Sequence, residues 1–192
     1  MRVSRRSLLR IGGGAAASAV TLAAPISALA TPALVGLKPL DARTLSFDCA
    51  YTSEHLKNVT YWAEGAYIPE ALAQISHALR DDLTNEVHAI DPKVLDALHK
   101  VGTLLGTDCR FEIFSGYRSA KTNAALHRVD PQVAVQSLHM QGKAVDLFLP
   151  GRLLRDVRAT ALSLRMGGVG YYPDAGFVHI DSGRVRQWVG LG

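Results

Sequence analysis

Apolar and polar residues follow two rhythms along this chain. Leu45–Tyr51 and Asn58–Tyr61 alternate closely enough to predict short strands. Pro69 then opens a helical pattern in which Leu72, Ile75 and Leu79 recur at helical intervals, with Leu83 one turn further. Asp91-Pro92 predicts the start of a second helix, with Asp91 as N-cap and Pro92 in the first turn. Its apolar stripe is Val94, Leu95, Leu98, Val101 and Leu105, and Gly106 stops it. Cys109–Phe114 reads as a strand, Ser115–Ser119 as a turn into a short helix through Leu126, and 128–136 as a loop. Lys143–Leu149 alternates again and is ended by Pro150-Gly151. Leu153–Leu164 predicts a third long helix. The glycine-rich run from Gly167 to Tyr172, then Phe177–Asp181, predicts two more strands, with a last edge piece near Trp188. Helices before a late cluster of strands favour an α+β domain with a small, mainly antiparallel sheet flanked by helices.

The first thirty residues break this pattern. Arg2, Arg5, Arg6 and Arg10 precede an apolar, Ala- and Gly-rich run to about Leu22, followed by the small triplet Ala28-Leu29-Ala30. That is the anatomy of a cleaved export signal, and Ser4-Arg5-Arg6 followed by Leu8-Leu9 resembles a twin-arginine signal. The apolar run falls short of the ~20 residues a bilayer-spanning helix needs, so no stable membrane insertion is expected once the signal is removed. Residues 1–30 are read as the signal, 31–44 as a linker carrying Pro32, Gly36 and Pro39, and 45–192 as one domain. The predicted location is the periplasm.

Removing the signal changes the charge balance. The chain has 21 Lys+Arg against 17 Asp+Glu, and four of the basic residues and none of the acids lie in the signal. The mature chain is balanced, so the basic character is no argument for nucleic-acid binding. Two cysteines remain, Cys49 and Cys109. In an oxidising compartment they form one disulfide or stay as two buried thiols, and sequence leaves both open.

Candidate chemistry concentrates late in the chain. His139 is followed seven residues later by Asp146, and His179 lies further on. Two imidazoles and a carboxylate are the three ligands of a catalytic zinc site that keeps one position open. Asp146 lies among Ala144, Val145, Leu147 and Phe148, where a carboxylate is costly unless paired or metal-bound. Alternation puts His179 and Asp181 on one strand face. The same three residue types would also suit an iron or copper site. His55, His77, His88, His99 and His127 have no such setting.

The pattern Ser137-x-His139-x-x-Gly142-x-Ala144-x-Asp146 resembles the zinc-binding signature of the D-Ala-D-Ala carboxypeptidase/hedgehog-type peptidases. Leu79-Arg80-Asp81, Asp91–Asp96, Ser115-Gly116-Tyr117-Arg118-Ser119, Gly168–Tyr172 and Phe177–Asp181 extend the likeness to the YcbK-like branch of periplasmic murein endopeptidases, over about Leu45 to Trp188. The resemblance implies one Zn²⁺ held by His139, Asp146 and His179. It implies peptidoglycan stem peptides as substrate, cut between stems, with meso-diaminopimelate cross-bridges as one candidate bond. It also implies Arg118 as a clamp for a substrate carboxylate or oxyanion. One departure stands out. Many members carry Glu or His two or three residues before the last ligand, where this chain has Phe177 and Gly176. The proton acceptor must then come from elsewhere. Asp181 is the first candidate, with a role in orienting His179 as its alternative; Asp174, Tyr171 and Tyr172 are weaker ones. That departure gives weight to a competing function, a zinc-stabilised cell-wall binding module without catalysis; separately, the bond cut stays open, and a carboxypeptidase that trims stem peptides is the other alternative.

Overall fold

The computed structural model describes residues 41–190. The expected signal, and the linker up to residue 40, lie outside the described residues. Eight strands form one sheet: β1 (Arg43–Cys49), β2 (His55–Ala63), β3 (Ala66–Tyr67), β4 (Arg110–Ser115), β5 (Ala144–Phe148), β6 (Gly168–Tyr172), β7 (Phe177–Asp181) and β8 (Arg186–Val189). Their order is β3-β2-β1-β4-β5-β7-β6-β8. Only β1 with β4 and β6 with β8 run parallel. Four helices accompany them: α1 (Pro69–Ala78), α2 (Pro92–Leu104), α3 (Ala120–Val129) and α4 (Leu154–Leu164). This is the expected α+β class. The sheet has one strand more than the alternation predicts: β1 and β2 fall where strands are expected, whereas the two-residue β3 is too short to leave a period.

Burial explains the layering. Leu45 and Phe47 of β1, Phe111 and Ile113 of β4, Val145 and Leu147 of β5, and Val178 and Ile180 of β7 are buried with Val94, Leu95, Leu98 and Val101 of α2 and Val157 of α4. Each fully buried aliphatic of this kind is worth about 1.5–3 kcal/mol. The alternate positions of β5 and β7 therefore face away from this core. They include Asp146, His179 and Asp181.

Local chemistry sets the ends of the elements. Asp91 Oδ1 accepts from Lys93 N at 3.0 Å and caps α2 as expected. Helix α1 ends one turn earlier than its apolar spacing predicts. Asp81 Oδ1 accepts from the backbone N–H groups of Leu83 and Thr84 at 2.9 and 2.8 Å, turning the chain and leaving Leu83 exposed. Among the described residues no helix is long and apolar enough to cross a membrane.

Cys49 and Cys109 are both buried and are not joined to each other. Register gives the reason. Ser46 pairs with Arg110 and Cys49 with Ile113, so the two cysteines sit at opposite ends of the β1–β4 ladder. Four strand steps are roughly 13 Å, well past the ~7 Å Cα separation a disulfide tolerates.

Candidate metal centre and cleft

The sheet itself aligns the candidate ligands. Asp146 of β5 lies directly opposite His179 of β7, and on its other side opposite Ser115 of β4. A register shift between Ile113 and Ser115 sets two β4 residues against one step of β5. By simple alternation Ser115 would follow Ile113 into the core; the shift turns it to the face of Asp146 instead. His139 comes from the 3₁₀ turn Leu138–Gln141, which ends at Gly142 with φ +64°. Any Cβ at Gly142 would overlap the carbonyl oxygen of Ala89, so both conformation and space demand glycine.

Three ligand-type side chains converge. His139 Nε2 is 3.2 Å from His179 Nδ1, which is 2.8 Å from Asp146 Oδ1, and Asp146 Oδ2 is 3.3 Å from His139 Nε2. Donors held ~2.0–2.1 Å from one tetrahedral ion lie roughly 3.3 Å apart. The outer ring nitrogens both face acceptors. His139 Nδ1 faces the Gly116 carbonyl at 2.7 Å, which can only accept, so Nδ1 carries the hydrogen. His179 lies between two carboxylates, with Nε2 3.1 Å from Asp181 Oδ2 and Nδ1 2.8 Å from Asp146 Oδ1. With the His179 hydrogen on Nε2, the inner nitrogens turn lone pairs toward each other and toward a carboxylate. Such a cluster needs positive charge among its members, and a divalent cation supplies it. The donor set thus fits a metal ion, and His139, Asp146 and His179 are the residues that could hold one.

Burial and the neighbouring charges pull the three groups in different directions. Burial pushes the His139 imidazole below its ordinary value. Burial acts the same way on His179, but its bonds to Asp146 and Asp181 outweigh it and raise the ring. Burial would raise Asp146, yet His139 and His179 hold its carboxyl well below the usual range.

Asp181 is almost fully buried behind His179. Its Oδ1 accepts from Gly168 N at 2.9 Å, Gly183 N at 2.8 Å and Arg186 Nη1 at 3.1 Å, while Oδ2 takes His179 Nε2 and Arg186 Nη2, the latter at 2.7 Å. Burial pushes this carboxyl up, but those bonds prevail and keep it far below its ordinary value. The strand alternation that brings Asp181 to the ligand face thus delivers it to the imidazole, not to the open side of the cluster. Arg118 reaches the other flank: Nη2 donates to Asp146 Oδ2 at 2.6 Å and Nε to Ser115 Oγ at 2.8 Å.

A cleft of about 340 Å³ opens over the cluster. His139, Asp146, His179 and Arg118 line it, together with the aromatic side chains of Tyr172, Phe177 and Trp188. The rings of Tyr172 and Phe177 stack at 4.4 Å, and the Trp188 indole lies 5.1 Å from His179. Further lining comes from the segment between α3 and the 3₁₀ turn, including Gln132, Val133, Ala134 and Gln136. That segment is tied to α3 by Asn123 Nδ2, which donates to the carbonyls of Ala134 and Val135, and by His127 Nδ1 on Val133 O. Asp174, a weaker candidate for proton transfer, is not among the lining residues, whereas Tyr172 is.

The chain matches the family model described as peptidoglycan L,D-endopeptidase MepK (Peptidase_M15_2) over residues 38–188. It belongs to this family. The MepK peptidoglycan L,D-endopeptidase of Escherichia coli strain K12 is 40% identical over 185 residues, covering 96% of this chain and 97% of that one. A probable MepK of Haemophilus influenzae is 37% identical over 189 residues, covering 98% and 97%. No solved structure matches the chain at a significant level.

Sequence patterns missed two contributors to the MepK-type site. Arg186 and Trp188 lie beyond the last motif, and their contacts depend on glycines in β6. A Cβ at Gly170 would meet the Trp188 indole at 2.6 Å, and one at Gly168 would meet Asp181 Oδ2 at 2.5 Å. Glycines alternating at 168 and 170 were the available signal: a strand face kept bare for side chains of its neighbours.

Proposed function

We propose that this protein is a periplasmic zinc endopeptidase that hydrolyses peptide cross-links of peptidoglycan, exported by its twin-arginine signal. One Zn²⁺ is held by His139, Asp146 and His179. The observation that carries this reading is the convergence of two imidazoles and a carboxylate, with one ligand atom from each all within 4.8 Å of one another, in a cleft that Arg118 also lines. The names of the MepK relatives favour an L,D cross-link as the bond cut.

Zinc in such a site supplies a water nucleophile ionised near neutral pH and polarises a carbonyl. The protein's own residues do the rest. Asp181 holds His179 in the tautomer that leaves Nδ1 free to bind metal, and its saturated carboxylate favours this orienting role over proton transfer. Arg118 stands beside Asp146 and lines the cleft, where a substrate carboxylate or the developing oxyanion can be gripped. The aromatic side chains of Tyr172, Phe177 and Trp188 pack against the apolar parts of the stem peptide and keep water from the scissile bond.

Phe177 and Gly176, in place of an acid or imidazole ahead of the last ligand, favour one second reading: a zinc-stabilised module that binds the cell wall without cutting it. Metal analysis and turnover separate the readings. Purified residues 31–192 should carry one zinc per chain, lost on His139→Ala, Asp146→Ala or His179→Ala, and should split an L,D-cross-linked muropeptide dimer. Stoichiometric iron or copper would contradict the zinc assignment. Zinc-loaded protein that binds the dimer without cutting it would favour the module.

A further inference from the structure

Asp81 lies outside the cleft and is completely buried, although it is a carboxylate. Burying such a group is costly unless hydrogen bonds replace its water. Its Oδ1 serves its own turn through Leu83 N and Thr84 N. Its Oδ2 serves a segment 38 residues away, accepting from Ser119 N at 2.6 Å. The neighbouring contacts fasten the same loop. Tyr117 N donates to Leu79 O at 2.8 Å, and a Cβ at Gly116 would lie 2.5 Å from that same oxygen. The loop then acts on the candidate metal centre at two points. Gly116 O accepts from His139 Nδ1, and Arg118, next to Ser119, reaches Asp146. Arg118 N also donates to His139 O at 3.3 Å.

Resting on the function proposed above, we infer that Asp81 is a positioning residue for the cleavage reaction: by clamping Ser119 N it fixes the Ser115–Ser119 loop, and through it both the Arg118 guanidinium and the His139 ring. The carboxylate touches neither substrate nor metal. It acts because a backbone hydrogen bond at Ser119 sets the origin of the Arg118 side chain, and because Gly116 O must stay in place to hold His139 with Nε2 inward.

Two variants remove the clamp from opposite sides. Asp81→Asn can keep its carbonyl on the Leu83–Thr84 turn but sets an amide N–H₂ against Ser119 N–H. Ser119→Pro leaves Asp81 intact and deletes the donor, at a residue whose φ of −64° proline accepts. Ser119→Ala loses the same N-cap hydroxyl as Ser119→Pro but keeps the N–H, and Leu98→Ala controls for lost stability in a helix remote from the cleft. The readouts are zinc affinity by chelator competition, and kcat/KM on an L,D-cross-linked muropeptide dimer with zinc in excess. Asp81→Asn and Ser119→Pro should each weaken zinc binding and lower kcat/KM by roughly 10–100-fold, Ser119→Pro by clearly more than Ser119→Ala, whereas Leu98→Ala should leave both near wild type. In an Arg118→Ala background, Asp81→Asn should lower kcat/KM by a smaller factor than in wild type, since the share carried by the guanidinium is already gone and only the His139 share remains. Wild-type zinc affinity and kcat/KM in the two clamp variants, or full additivity with Arg118→Ala, would overturn the inference while leaving the proposed function standing. If the wild-type protein binds zinc but cuts nothing, the proposed function fails instead, and the zinc affinities of the same variants still decide whether Asp81 positions His139.

Discussion

Two hydrogen bonds decide which nitrogen of each histidine faces the candidate centre: His139 Nδ1 on Gly116 O, and His179 Nε2 on Asp181 Oδ2. Replacing Asp181 by Asn should therefore weaken zinc binding about 10–100-fold, measured by chelator competition. An unchanged affinity would mean that the Asp181 charge does not support His179. Arg118→Lys keeps the charge but loses the planar fork, and should lower kcat/KM about 100-fold with zinc content unchanged. At this scale the sequence said more about which residues to single out than about what they contact. His139, Asp146 and His179 could be picked out from residue type and spacing and Arg118 from the family resemblance, and all four line one cleft. The role of Asp181 stayed open, because alternation gives the face of a side chain and not its partner. Asp81 and Arg186 had no legible role, since their partners lie across the fold or behind a bare glycine strand.

Elements carry these residues to one place through register. Asp146 meets His179 only because β5 and β7 pair antiparallel in that register, and Ser115 joins them through the shift in β4. The strands themselves were visible as alternation, but pairing and shift are tertiary facts that no local period encodes. The end of α1 was misplaced for a similar reason: Leu83 continues the helical spacing, but the Asp81 carboxylate offers the backbone a competing turn. The 3₁₀ turn that presents His139 is the element most sensitive to a small change. Gly142→Ala would strain φ at +64° and press a methyl group into the Ala89 carbonyl. It should cost more than ~1 kcal/mol, seen as a lower thermal midpoint. A midpoint equal to wild type would show that the turn relaxes freely.

For the whole molecule, pH and redox conditions give two further tests. Burial alone would raise the Asp81 carboxyl, but bonds from Ser119, Thr122 and Thr84 bring it down to about 2. Because this value lies below the ~3.9 of an unfolded aspartate, the group stabilises the fold above pH 4, and that contribution is lost as pH falls from about 4 to 2. Asp81→Asn should then cost about 2 kcal/mol at neutral pH, with the gap to wild type closing toward pH 2. A gap that stays constant with pH would contradict a charged Asp81 in the fold. The two cysteines give a redox test. Burial pushes the Cys49 thiol up to about 11, and Cys109 is buried at the far end of the ladder. Reductant should leave the thermal midpoint unchanged, and a clear drop would reveal a disulfide. The broad class, a mainly antiparallel α+β domain, was readable from the chain because long helical stripes and short alternating runs are local patterns. The number of strands was not, because edge pieces as short as β3 exist only through their neighbours.

The most direct measurement is digestion of purified sacculi by residues 31–192, with and without added zinc, and with His139→Ala as the control, followed by mass analysis of the released muropeptides. A zinc-dependent loss of cross-linked dimers that disappears in the variant is the predicted result, and the masses would identify the bond. An unchanged muropeptide profile from folded, zinc-loaded protein would contradict a catalytic role for the centre built from His139, Asp146 and His179.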